Sequence, residues 1–574
     1  MLLNLLHYFI LLPVKRRSFI KRIAQAGIVA AASPNLGSLF AKSAEKLSAP
    51  VYNELRIPPV ISGGDLTVAS TNYQIYPGTD SQILSINNTF PAPTIKIKKG
   101  DTFSVKVINN LSENTNIHWH GIHDPSPMDG HPKYPIAPGA SFDVMYPITQ
   151  RAGTFFYHSH VDMGTARQTY MGMMGCLIIE DDEEKSLGLP SGDFDIPLLI
   201  QDKRFDTNKQ LLYAPTEADS FEGFLGDTIL INGTPNASLT IAPTLYRFRL
   251  VNGSNARIYK IGLSDNSSFT IIGNDGGLID KPVSVTTATI GPAERVDILI
   301  DFSSYAQGKT VNLHSSAFSF SGYQGSGTLG QGAEFDLMQF QVDKSGSSGG
   351  VIPPALPAIT AYNVKDIKNS RLFQFSGPTL INSLSFDMDR IDQVVPFGDL
   401  EKWTFMNLSQ VIHHIHVHGT QFQVLNHGTG NPPDVTEAGW KDIVRLEPSS
   451  SANVLIRFTD YTGIYLIHCH VLEHEDMGMM SNFQVVAGGS VKENPQLQNS
   501  IHISPNPASD HAILRFTPLT TQEELIVSDM TGKIIAQEIL PATSEIFGLS
   551  TSNFPIGDYQ VILGNQQANL LIMR

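Results

Sequence analysis

Cysteine is nearly absent: only Cys176 and Cys469 occur in 574 residues. Two single, distant thiols make no disulfide framework, so this fold has to be held by packing. Charge is sparse too, at 16% of residues, and the deficit is basic: 39 Lys and Arg stand against 54 Asp and Glu, for a net charge of -15. Phosphate binding needs clustered Lys and Arg, so nucleic acid is excluded as an expected partner, and the acidity points to solubility. Long helical periodicity is scarce. In its place come 47 glycines, 35 prolines and strand-like alternation, as in Phe103-Ser104-Val105-Lys106-Val107 and Val454-Leu455-Ile456-Arg457-Phe458. Period two with frequent turn residues predicts an all-β chain of sandwiches.

The length suggests about four domains at roughly 150 residues each. The acidic run Glu180 to Glu184 marks one boundary, and the Gly-, Ser- and Pro-rich stretch from Asp343 to Pro357 marks another, read as a linker whose composition cannot pack. Sandwich domains are therefore expected over 50–182, 190–345 and 358–488, with a smaller β-sandwich over 500–574. Both ends read as addresses. Arg16, Arg17, Phe19 and Lys21 precede a short apolar stretch rich in small residues, which resembles a twin-arginine export signal over 1–44, with cleavage near Ala41 to Ala44. The C-terminal segment alternates between turn signals and resembles the sorting domain of type IX secretion substrates. Together these imply export machinery as a partner, passage through the periplasm, and a final place at the cell surface or outside the cell.

Histidine is where the chain is rich. It clusters as His118-Trp119-His120, His158-Ser159-His160, His413-His414-Ile415-His416-Val417-His418 and His468-Cys469-His470, with His474 close behind. On a strand, a His-X-His pair puts both rings on one face and the middle residue on the other. Four such pairs supply eight imidazoles, more than one zinc with its four ligands can use, and suit a cluster of three coppers. Cys469, sitting between His468 and His470, must point away from them toward a second metal. His413, His474, Cys469 and the thioether of Met479 form the donor set of a blue-copper electron-transfer site. His414 differs in strand position and is expected to be a neighbour of that site, while His123, His131 and His427 are expected to line the surface. His314, alone in the middle region, reads as a satisfied residue, Cys176 as a buried small hydrophobe, and Met171, Met173 and Met174 as core packing.

These motifs, in this order and spacing over residues 50 to 488, resemble those of bacterial laccase-like multicopper oxidases. The resemblance implies three cupredoxin-like Greek-key domains and four coppers per chain. His413, Cys469, His474 and Met479 would hold type 1, His118 and His416 type 2, and two trios the type 3 pair: His120, His158 and His470, and His160, His418 and His468. It also implies that Cys469 carries electrons to the cluster and that Asp129 and Glu475 relay protons. Dioxygen and a small reducing substrate are the implied partners, and a monomer is the expectation. Before His413 stand Ser409-Gln410-Val411-Ile412, and residues 315 to 385 hold one methionine, Met338. A soft Cu(I)-binding lid is thus not evident, and phenols or aromatic amines are the first expectation for substrate, ahead of Cu(I), Fe(II) or Mn(II). A non-catalytic cupredoxin-fold envelope protein is the rival of another class, but it would lack the ligands that are all present here. Two-domain copper nitrite reductases have no need for four paired motifs.

Overall fold

A computed structural model of the chain describes residues 51–319, 329–428 and 430–487, and most of 501–572. The twin-arginine segment lies outside the described residues.

Strands dominate and pair into sheets that pack two by two. In the first pair, a five-stranded sheet runs in the order Val60–Ile61, Thr94–Lys98, Met174–Glu180, Gly153–His158, His118–His120. Its partner is a four-stranded sheet built on Gly64–Tyr76 and Thr102–Asn109. Inward residues of both sheets, among them Val68, Val105, Val107, Trp119, Tyr157 and Leu177, share one core. The strand Thr102–Asn109 alternates buried and outward residues as the sequence predicts. A seven-stranded and a six-stranded sheet enclose the largest core, between residues 55 and 356. Two five-stranded sheets enclose a third, around Trp403, Phe405 and Phe483. A three- and a four-stranded sheet form a small separate sandwich from His502 to Ile572. The fold is thus all-β, with three large sandwiches and a small C-terminal one. Among the described residues no disulfide forms, and both cysteines are buried and free.

One expectation drawn from composition needs correcting. The stretch from Asp343 to Pro357 is irregular but not loose: Leu356 is buried in the middle core, and the Val351 N–H donates to the Gly188 carbonyl at 2.9 Å. Its small and cyclic residues let the backbone lie close against the middle sandwich, with Gly350 against Pro190. The acidic run is tied to the same sandwich. Asp181 caps the short helix Asp182–Lys185, and Glu184 turns inward to the buried Arg247 (2.9 Å) and Arg249 (3.2 Å), which also share Asp297.

Burial alone would raise the Glu184 carboxyl, but the two guanidinium groups overcome it and hold it at about 2. An unfolded glutamate titrates near pH ~4.3, so this pairing stabilises the fold fully above that value, and its contribution fades as pH falls toward 2. Removing one member of a buried ion cluster costs about 3–5 kcal/mol, because the remaining charges lose their partner. Urea unfolding of Glu184→Gln at neutral pH is expected to show a loss of this size, with the gap to the parent narrowing as pH drops from 5 toward 2.

Candidate metal centre

The H-X-H strands position the rings by register. His118 lies opposite His158, and Trp119 opposite Tyr157. In the third sandwich His416 lies opposite His468 and Ile415 opposite Cys469. The middle residues Trp119, Val417 and Cys469 are at most 1% exposed and sit in the sandwich cores. Burying them fixes which way the histidines face, because alternation leaves the opposite side for the rings. The rings of the first and third sandwiches meet: His118 stacks on His418 at 3.8 Å and His120 on His416 at 3.7 Å.

Each ring's proton can be assigned from its partner, since a carbonyl or a paired carboxylate accepts and cannot donate. His118 Nδ1–H donates to the Asp129 carbonyl at 2.6 Å, and His416 Nδ1–H to the Asp442 carbonyl at 2.8 Å. Their Nε2 atoms then carry lone pairs, yet they face each other at 3.3 Å. His418 and His468 repeat the pattern. Their Nδ1 atoms donate to Asp129 Oδ2 (2.8 Å) and the Cys469 carbonyl (3.1 Å), and their Nε2 atoms lie 3.0 Å apart. His160 Nε2 is 3.4 Å from His468 Nε2. Opposed lone pairs at such distances repel unless a cation lies between them. Protonation is a poor remedy, because burial holds His160, His416 and His418 well below the usual imidazole range.

The other rings leave ligand atoms bare. His158 Nε2, His120 Nδ1 and both nitrogens of His470 are buried without a hydrogen-bond partner. An uncompensated buried polar atom costs free energy, and bound metal is the compensation that imidazole nitrogens admit. Ligand atoms within 4.8 Å of one another group as His160, His418 and His468; as His118, His416 and His418; and as His118, His120 and His158. The trio His120, His158 and His470 is more open, with ring centroids 5.0, 5.2 and 5.9 Å apart.

On the far face of the strand, Cys469 Sγ lies 3.4 Å from His413 Nδ1 and 3.6 Å from His474 Nδ1. Both rings are turned so that these nitrogens face sulfur: His474 Nε2–H donates to the Phe221 carbonyl at 3.0 Å, and His413 Nε2 lies 2.9 Å from Ser409 Oγ. Met479 is fully buried beside them, and its carbonyl accepts the Cys469 N–H at 3.1 Å. Burial pushes the Cys469 thiol up to about 12, so a thiolate there requires a cation. One thiolate with two imidazoles suits copper, and the bare donors of both clusters fit it.

The carboxylates fall beside the rings. Asp129 Oδ2 holds His418, and Glu475 spans His160 Nδ1 (3.4 Å) and His468 Nδ1 (3.3 Å) from a position 1% exposed. Sequence reasoning gave Asp442 no role, yet its Oδ1 accepts His120 Nε2–H at 3.1 Å. Asp442 is clamped in turn by Arg295, at 2.6 and 2.5 Å, from the middle sandwich. Gly121 makes room for this clamp: its φ is +82°, and a β-carbon there would strike Asp442 Oδ2. Such outer partners fix the tautomer and orientation of ligand rings.

Other histidines stay outside the clusters. His414 is buried with neither ring nitrogen bonded, its Nε2 against Gly291 of the middle sandwich. His123 pairs with Asp460 and Gln421, and His427 with Glu437. His131 corrects its surface expectation. It is 0% exposed and faces Asn482 Oδ1 at 2.8 Å, because its loop is roofed by the third sandwich. His314 is satisfied by Asp336 and Glu334.

Residues 67–184, 195–313 and 352–489 match three family segments described as multicopper oxidase. The chain belongs to the multicopper oxidase family. It is 35% identical over 416 residues to the multicopper oxidase mco of Staphylococcus aureus, covering 72% of this chain and 86% of that one. It is 30% identical over 465 residues to a laccase of Bacillus subtilis, covering 70% and 89%. Among solved structures, the McoA multicopper oxidase of Aquifex aeolicus matches with a TM-score of 0.69 at 34% identity, over 76% of this chain and 100% of that one. Membership makes the chain an oxidoreductase, and the family implies copper. Residues 502–572 match a secretion system C-terminal sorting domain, which suggests export and association with the cell surface.

Proposed function

We propose that this multicopper oxidase couples the one-electron oxidation of phenols or aromatic amines to the four-electron reduction of dioxygen to water. The observation that carries the reading is the pairing of a thiol-centred site with an imidazole cage on opposite faces of one strand, through Cys469, His468 and His470. His413, Cys469, His474 and Met479 would hold type 1 copper, and His118 and His416 type 2. His120, His158 and His470, with His160, His418 and His468, would hold the type 3 pair. Bound there, copper supplies the electron relay and the reduction of dioxygen.

The chain's own residues do the rest. The sandwich cores exclude water and set the rings, and Asp442 and Asp129 orient cage imidazoles through their outer nitrogens, with Glu475 beside His160 and His468. Asp129 and Glu475 also stand where protons are needed, within hydrogen-bonding or ion-pair range of His418, His160 and His468. Four protons accompany four electrons for each dioxygen reduced. The route outward would be twin-arginine export of the folded chain, then transfer by the sorting domain from the periplasm to the surface or beyond.

His474 supports a reading of where electrons enter. Its outer N–H ends on the Phe221 carbonyl, in the helix Glu217–Glu222, and Phe221 is 47% exposed. A phenol stacked on that ring would sit one residue and one hydrogen bond from the type 1 ligand. Aromatic contacts contribute about 1 kcal/mol, so Phe221→Ala is expected to lower kcat/KM for a phenol roughly fivefold. Anaerobic reduction by a small inorganic one-electron donor should stay unchanged.

Metal-ion oxidation is the second reading. It is favoured by Glu217 and Glu222 on the same helix and by the likeness, at 25% identity, to a Campylobacter jejuni multicopper oxidase described as a metallo-oxidase. Oxygen uptake by the copper-loaded chain with a phenol, Fe(II) and Cu(I) in parallel ranks the two. Turnover on the ions alone would overturn the phenol reading, and uptake with none of the three would overturn both.

A further inference from the structure

Asn407 ends the strand Leu400–Asn407, and His413 opens the strand His413–Val417. In the turn between them Ser409 brings its hydroxyl to the outer nitrogen of the His413 ring, Nε2, at 2.9 Å. Asn407, Ser409 and His413 are all buried, at 1%, 7% and 0% exposure, and so are Val411 and Ile412 beside them. A hydroxyl can donate or accept in such a contact, and its other bonds determine which.

Asn407 supplies those bonds. Its Nδ2 faces three carbonyls, those of Val411 (2.7 Å), Glu447 (3.0 Å) and Leu446 (3.2 Å). Only the NH2 end of an amide can face three acceptors, so Oδ1 lies on the other side. There it accepts the Ser409 N–H at 2.8 Å and the Ser409 O–H at 2.7 Å. The Val411 carbonyl, at 3.3 Å, is a more distant acceptor for that O–H and already takes the Asn407 amide. With its one proton directed to Asn407, Ser409 Oγ presents a lone pair to His413, and Nε2 carries the hydrogen. A neutral imidazole has a single N–H, so Nδ1 is left bare toward Cys469 Sγ, at 3.4 Å. Were the hydroxyl to turn round, the proton would sit on Nδ1 and block the ligand atom.

We propose that Ser409, held by Asn407, is a positioning residue of the type 1 centre: it commits His413 to the tautomer that binds copper and strengthens that ring as a donor, which lowers the reduction potential of the metal. An acceptor on the outer N–H of a ligand imidazole raises the basicity of the inner nitrogen. A more basic nitrogen favours Cu(II), the harder ion, over Cu(I). The site then draws electrons best from donors that release them readily. Among the phenols of the reading above, on which this inference rests, those with electron-donating substituents are the class it favours.

The test uses the full-length, copper-loaded protein and its Ser409→Ala and Ser409→Thr variants. Losing the outer partner of a ligand ring weakens metal binding roughly 10- to 100-fold, and the loss falls on Cu(II). At the lower end, the type 1 equilibrium in Ser409→Ala shifts about tenfold toward Cu(I), a rise of about 59 mV in a redox titration of the blue band. Ser409→Thr keeps the hydroxyl and should restore the parental potential. Pulsed EPR of the oxidised site reads the outer nitrogens of both imidazoles: that of His413 should change in Ser409→Ala, and that of His474, on the Phe221 carbonyl, should not. Phenols without donating substituents should gain more in kcat/KM than phenols with them. A potential that stays parental or falls in Ser409→Ala overturns the proposal, and the Gly377 carbonyl, a further hydrogen-bond partner of the ring, would then hold the tautomer alone. A variant that loses only melting temperature or copper content overturns it as well. If Ser409→Ala does not fold, Ser409→Cys, whose sulfur is a weak acceptor, is read in the same way. A blue protein that consumes no oxygen would sink the oxidase reading while its potential still tests this one; a colourless parent would remove the type 1 site and both readings with it.

Discussion

Replacing Cys469 by serine is expected to abolish the blue colour of the copper-loaded protein and to cut oxidase turnover on the order of 10³-fold or more, as removal of a residue every electron must cross does. The thiol faces both His413 Nδ1 and His474 Nδ1, at 3.4 and 3.6 Å, and a serine hydroxyl is too hard a donor to replace it. Its neighbours in sequence, His468 and His470, turn to the cage on the other side of the strand, so the same substitution severs the shortest covalent link between the two sites. Cys176→Ser is the control. Cys176 packs with Phe156, Leu199 and Val251, in a core apart from that of His413, His474 and Cys469, and burial pushes its thiol up to about 12. That variant should keep both colour and turnover. Absorbance and oxygen uptake decide; a Cys469→Ser protein that stays blue and respires normally would end the electron-transfer assignment.

Asp442→Asn should be nearly as damaging, by a different route. The aspartate satisfies two charge-assisted bonds from Arg295 and one from His120, all in a region 0% exposed. Without its charge, Arg295 keeps only Asp275, at 3.5 Å, and carbonyl partners. Breaking a buried pair from one side costs about 3–5 kcal/mol, and losing the partner of a ligand's outer nitrogen weakens metal binding roughly 10- to 100-fold. Urea unfolding measures the first and copper competition with a chelator the second. A variant that matches the parent in both would remove Asp442 from the site's support.

How much of this was legible in the sequence follows from what each signal depends on. The H-X-H motifs and the alternating strands are local patterns, and their consequence, rings on one face and Trp119, Val417 and Cys469 on the other, needs only the period of a strand. The class of fold and the family follow from the same patterns. Asp442 and Arg295 could not be read this way, because their meeting depends on how the middle sandwich docks against the third. His131 was misplaced at the surface because nothing local announces the roof formed by Asn482. The stretch from Asp343 to Pro357 shows the converse error, since Gly- and Pro-rich composition argues against regular structure but not against burial.

Most links between the first and third sandwiches do not involve the ten proposed ligand rings at all. Ser126 bonds to Ile464, Tyr465 to Asp124, His123 to Gln421 and Asp460, and Gln421 to Gly121. Residues such as His118 and His416 are 298 positions apart in the chain. Holding a segment of that length closed carries a length-dependent entropy cost of about 5 kcal/mol, met by these polypeptide ties rather than by the ions. These ties hold the two halves of the donor set together, so the seam between them bears on metal retention. Lesions along that seam, even well away from any imidazole, will show themselves first as ions leaking to competitors, before the polypeptide itself comes apart.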